Sequence, residues 1–122
     1  MKIFVFGNPD LSADSLPLRI LPQLVKQWPQ IEFVVADPNE EWEVPENLIL
    51  IDTVQGLSAI TEFTNLDDFV RPPKITMHDF DAYTNLRYLQ KLGKLKKIKI
   101  IGLPPAIDAK TALAYLTEKL KP

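Results

Sequence analysis

The sequence predicts an α/β domain: a three-layer sandwich in which a mostly parallel, twisted sheet of about five strands, one edge strand antiparallel, is flanked by about three helices. Two observations predict this. Short apolar runs rich in β-branched and aromatic residues read as strands buried on both faces, and longer segments between them repeat apolar residues every three or four positions. Their order, β α β β β α β α, then requires parallel neighbours joined by crossovers. A chain of 122 residues, 46% of them hydrophobic, is long enough to bury a real core as one domain spanning residues 1–122.

The elements follow in order. "KIFVF" (2–6) is a first strand. In "SADSLPLRILPQLVKQW" (12–28), Leu16, Ile20, Leu21, Leu24, Val25 and Trp28 lie at helical spacing, with Ser12 as N-cap and Pro17 in the first turn, where its missing N–H costs least. Pro22 is expected to kink this helix or end its regular part. "EFVVA" (32–36) and "LILI" (48–51) are the second and third strands, joined by "DPNEEWEVPEN" (37–47), which is too short and too broken by proline for a crossover helix. "AITEF" (59–63) reads as an antiparallel edge strand followed by a turn at 65–68. "HDFDAYTNLRYLQKLGK" (78–94) is a helix with Phe80, Tyr83, Leu86, Leu89, Tyr88 and Leu92 as inward-facing candidates, stopped by Gly93 in a left-handed cap. "KIKII" (97–101) is the late strand, and "DAKTALAYLTEKLK" (108–121) is a last helix capped by Asp108, with Leu113, Leu116 and Leu120 on one face.

A net charge of −2 gives no electrostatic footprint for nucleic acid. The lysines of "KLGKLKKIKI" (Lys91, Lys94, Lys96, Lys97, Lys99) straddle a helix end and the next strand, where cations suit the helix dipole and gate a sheet edge. The absence of cysteine removes disulfides, thiolate nucleophiles and zinc-finger chemistry, so any metal must be held by oxygen and imidazole. No run reaches the ~18 apolar residues that span a bilayer, and the first apolar run is too short for a signal peptide. A cytoplasmic location is the default expectation.

Ligand sites in open α/β sheets lie at the carboxyl ends of the strands. Asp14 follows the first strand, Asp52 follows the third, and His78, the single histidine, opens the second helix. Two carboxylates and an imidazole would suit nickel or another borderline divalent ion, with positions left open for water or substrate. Each residue also has an ordinary reading: Asp14 as a first-turn acid favoured by the helix dipole, Asp52 as a loop cap, and His78 as a residue of a capping turn between Thr76 and Asp79.

The stretches "KIFVFGNPDLSAD", "LILIDTV" and "MHDFDAYTNLRYLQKLGKLKKIKIIGLPP" together are similar to the hydrogenase maturation proteases, endopeptidases that trim the C-terminal extension from the large subunit of nickel-iron hydrogenases. The chain resembles a shortened member. The resemblance implies that Asp14, Asp52 and His78 contact nickel seated in the hydrogenase precursor, so that the metal is a mark on the substrate. It implies that Asp37 matches an acid tied to activity, with Asp14 or Asp37 assisting attack by water. The expected partner is the large-subunit precursor, with no nucleic acid or membrane and a monomeric protein.

The chain also departs from that pattern. Asp37 is followed by Pro38, Asn39 and an acidic link where the family has a glycine-rich loop, and Ala13 and Pro17 replace an acid and a glycine. Loss of the loop favours a second reading, a relative that binds nickel or the precursor without proteolysis. A phosphoacceptor receiver would need an acidic pair after the first strand and a lysine after the last, but "GN" and "GLPP" stand there. No GxGxxG or GxxxxGK signals a nucleotide.

Overall fold

The computed structural model describes residues 2–6, 16–36, 43–54, 57–66, 77–105 and 107–119, with residues 77–83 described by their backbone alone. Their elements are β1 (Lys2–Val5), α1 (Leu16–Gln27), β2 (Glu32–Val35), β3 (Asn47–Thr53), β4 (Thr61–Phe63), α2 (Met77–Lys91), β5 (Lys97–Leu103) and α3 (Ala109–Lys119). The strands form one sheet in the order β2-β1-β3-β5-β4. All neighbours are parallel except β4, which pairs antiparallel with β5 at one edge. The fold class is the expected one.

Alternation along the strands divides the core in two. Phe4, Phe6, Leu48, Leu50, Ile98 and Ile100 point to one face and pack with Leu86 and Leu89 of α2. Ile3, Ile51, Ile101 and Leu103 point to the other and pack with Leu16, Ile20 and Leu24 of α1 and with Ala112 and Leu116 of α3. Leu50, Ile51 and Ile100 are completely or almost completely buried, each contributing about 1.5–3 kcal/mol of burial free energy.

The helix ends follow their chemistry. Gly93, at φ 75°, closes α2: its N–H donates to the Gln90 carbonyl (3.0 Å) while the Lys94 N–H donates to the Leu89 carbonyl (3.0 Å), the paired bonds of a Schellman cap. At α3 the Thr111 N–H donates to Asp108 Oδ1 at 2.7 Å, as expected of an N-cap. This bond holds the Asp108 carboxyl below its ordinary range. Lys119 reaches Glu62 of β4 at 3.4 Å, tying α3 to the antiparallel edge. Burial, with Glu62 adding repulsion, pushes the Tyr115 phenol up.

Several expectations need correcting. Pro22 does not end α1, which continues to Gln27, because the stripe of Leu16, Ile20 and Leu24 is buried and outweighs one missing backbone bond. The second strand is not buried on both faces: β2 is an outer strand, and Val35 is 52% exposed. Tyr88 and Leu92 face outward, at 60% and 50% exposure. Lys97 and Lys99 lie on the stretch of β5 that β4, paired only with residues 100–102, leaves uncovered among the described residues. Ser12, Thr76, the turn at 67–68 and Leu120 lie outside the described residues, as do the side chains of Phe80 and Tyr83.

Candidate active site at the carboxyl edge of the sheet

Chain direction changes between β1 and β3. The chain leaves β1 through α1 toward β2 on one side, and leaves β3 toward β4 and β5 on the other, with α1 and α2 on opposite faces. Such a switch point opens a crevice beyond the carboxyl ends of the two diverging strands. Backbone bonds hold those ends in place: the Phe6 N–H donates to the Ile51 carbonyl (2.9 Å), and the Val54 N–H to the Leu103 carbonyl (2.9 Å).

Asp52 sits at this point. It is the penultimate residue of β3, pairs in register with Gly102 of β5, and is 1% exposed. By alternation with Leu48 and Leu50 it belongs to the face covered by α2. Asp52 therefore lies inside the sheet, not in a capped loop as its ordinary reading would have it. Burying a carboxylate costs several kcal/mol of lost hydration unless opposing charge and hydrogen bonds compensate, so a carboxyl kept at such a position points to function.

The helix starts lie at the same edge of the sheet. The loop after α2 lies at the amino edge, where the Lys96 and Lys97 N–H groups both donate to the Glu46 carbonyl (2.7 and 3.0 Å). A helix of 15 residues, about 22 Å at 1.5 Å per residue, carries the start of α2 back to the carboxyl edge. The starts of α1 and α3, which follow β1 and β5, lie at that edge too. Helix N-termini carry partial positive charge and favour carboxylates.

His78 occupies the first turn of α2, so its backbone is at the same edge and on the same face of the sheet as Asp52. Its side chain, and all of Asp14 and Asp37, lie outside the described residues. Among the described residues no cluster of three or more His, Asp and Glu side chains is poised to hold a metal.

Two residues at this strand end were not marked by the sequence: Gly102 beside Asp52, and Thr53, which by alternation with Ile49 and Ile51 belongs to the opposite face, covered by α1 and α3. A Cβ on Gly102 would approach Phe63 Cε2 to 2.9 Å and the Leu57 and Val54 methyl carbons to 3.0 Å, so only glycine lets these side chains close over the strand end beside Asp52. Thr53 is 2% exposed, and its hydroxyl has no hydrogen-bond partner among the described residues. The signal for Gly102 was its place in "IGLPP"; nothing distinguishes Thr53 from any other strand threonine.

No family model matches the chain, and no curated protein matches it in sequence. Solved structures do match. The NiFe hydrogenase maturation protease HybD from Thermococcus kodakarensis superposes with a TM-score of 0.65 at 15% identity, covering 99% of this chain and 100% of that one. The hydrogenase maturating endopeptidase HybD from E. coli gives 0.63 at 17% identity, covering 98% of this chain and 94% of that one. Over almost its whole length, the chain has the fold of the hydrogenase maturation proteases.

Proposed function

We propose that this protein is an endopeptidase that reads nickel in the large-subunit precursor of a nickel-iron hydrogenase and removes its C-terminal extension. The observation that carries the reading is the buried Asp52 carboxylate at the switch point, within a fold shared end to end with two maturation proteases. In this reading Asp52 and His78 join Asp14 in contacting the substrate's nickel. Their mixed oxygen and nitrogen donors suit nickel and also other divalent ions. Asp37 or Asp14 takes a proton from the attacking water, which adds to the scissile carbonyl; the amine leaves with a proton returned by the same carboxyl group.

A second reading is carried by the link after β2. Pro38 and Asn39 stand where a glycine-rich loop could approach a substrate backbone, which favours a protein that binds the nickel-loaded precursor without cutting it. One experiment separates the two. Purified protein is incubated with nickel-loaded and nickel-free precursor, and the precursor's mass is followed. Loss of the extension from the loaded form alone, abolished by Asp52→Asn, supports proteolysis. Unchanged mass with nickel-dependent co-elution supports the binding reading, and neither result with either precursor removes both.

A further inference from the structure

At the opposite, amino edge of the sheet lie the lysines of the sequence's basic run. Lys97 and Lys99 are paired in register with Asn47 and Ile49 of β3, on the stretch of β5 that β4, which pairs only with residues 100–102, does not cover. Lys94 follows the end of α2, while Lys91, in its last turn, suits the helix dipole. All four are exposed, and none has a carboxylate partner among the described residues; Lys96 alone is paired, with Glu46 at 3.6 Å. In a chain of net charge −2 this is a local concentration of positive charge.

The same end of α2 exposes Tyr88 and Leu92, one helical turn apart, at 60% and 50%. Lys91 lies between them in sequence, and the Schellman bonds through Gly93 fix the backbone carrying Leu92 and Lys94. The apolar pair is thus pre-organised beside two cations that have no carboxylate partner among the described residues. Pre-organisation lowers the ordering cost of binding, and an apolar anchor flanked by charge is a common recognition pattern.

We propose that this end of α2 is a docking surface for an acidic protein segment that carries an apolar side chain between its carboxylates. The apolar side chain lies against Tyr88 and Leu92, and the flanking carboxylates meet Lys91 and Lys94. Lys97 and Lys99 extend the favourable field along the amino edge and speed encounter more than they tighten the complex. Nucleic acid is a poorer match: a single strand calls for successive aromatic platforms along a basic groove, whereas here one tyrosine is paired with an aliphatic side chain. The surface is remote from Asp52 and independent of whether the protein cuts.

The test uses a fluorescein-labelled peptide of glutamates around one central tryptophan, with binding to the full-length protein followed by anisotropy. Binding should weaken as salt rises, fall by about tenfold in Lys91→Ala/Lys94→Ala, and fall by at least about fivefold in Tyr88→Ser/Leu92→Ser and when glutamine replaces the peptide's tryptophan. Unfolding midpoints confirm that the variants are folded. Absence of binding by the wild type at low salt overturns the proposal. So does binding that ignores both the Tyr88/Leu92 change and loss of the tryptophan, or that a single-stranded oligonucleotide displaces as readily as unlabelled peptide, since the surface would then read charge alone.

Discussion

The two ends of β3 and β5 are built from similar residues and treated in opposite ways. At the amino edge the strands open with exposed Asn47 and Lys97, and the polar contacts there are surface pairs such as Lys2 with Glu32 and Lys96 with Glu46, both at 3.6 Å. Such pairs are each worth about 0–1 kcal/mol, and water replaces them readily. At the carboxyl edge the same strands end in Asp52 and Thr53, buried to 1% and 2% exposure beside a glycine that a methyl group would crowd. Polar groups kept where they are costly point to chemistry, and polar groups kept where they are inexpensive point to solubility or recognition. The contrast assigns the catalytic reading to one edge and the docking reading to the other.

The largest effect expected at the carboxyl edge is functional. Asp52→Asn keeps the shape but removes the ionisable carboxyl, and should lower nickel-dependent processing of the precursor by about 100-fold or more. Calorimetric titration with nickel-loaded precursor, run beside His78→Ala, tells whether the loss is in binding. Wild-type processing by Asp52→Asn would break the contrast, since the most deeply buried acid described would then be structural.

Gly102→Ala comes next and is read as stability. The added methyl meets Phe63 at 2.9 Å and Leu57 and Val54 at 3.0 Å, and overpacking of this kind costs about 1–3 kcal/mol. For a domain of this size that lowers the midpoint of thermal unfolding by several degrees, on the order of 3–5 °C per kcal/mol. An unchanged midpoint would mean that the strand end is looser than the packing implies.

How much of this was legible beforehand depends on what kind of signal each feature carries. The strands centred on Leu50 and Ile100 and the caps at Gly93 and Asp108 were readable because local sequence chemistry determines them. Strand order was not local. Nothing in "EFVVA" says that it lies at an outer position, so its burial was overestimated, and nothing in "KIKII" says that β4 folds back beside its last two residues. Tyr88 and Leu92 fit a helical period but fall outside the strip that Leu86 and Leu89 place against the sheet. At the candidate site, Asp52 was identifiable from its position after an apolar strand. The cost of its burial, the crowding at Gly102 and the buried Thr53 hydroxyl arise only once β3 and β5 pair.

Thr53 provides the next test of the same contrast. Its hydroxyl is buried without a partner among the described residues, so Thr53→Val, which keeps the shape, should raise stability by about 1 kcal/mol. Urea unfolding checks this through a higher midpoint at unchanged slope. If the same variant also slows processing, the hydroxyl belongs to the chemistry of that edge. Stability lost instead of gained would show that the hydroxyl has a partner in solution, and Thr53 would leave the set of costly polar groups.

The smallest expected effect is a pH dependence at Asp108, which belongs to the carboxyl edge but is fully exposed and so stands apart from its buried neighbours. Its carboxyl is held low first by the backbone bond from Thr111 and next by the Thr111 side chain, with Lys110 adding the least, against an opposing effect of desolvation. A folded-state value below the unfolded one means that the ionised form favours folding. The contribution is therefore complete above the ordinary value of 3.8 and fades as pH falls through the lower folded value. Asp108→Ala should accordingly lower the unfolding midpoint near neutral pH, and the gap from the wild type should narrow as the buffer is taken below 3.8. A gap of constant size across that range would mean that the cap acts through its shape and not its charge. Among the described residues this is the one helix start at this edge where a carboxylate accepts a backbone N–H, so a constant gap would leave helix-terminal charge without demonstrated weight there.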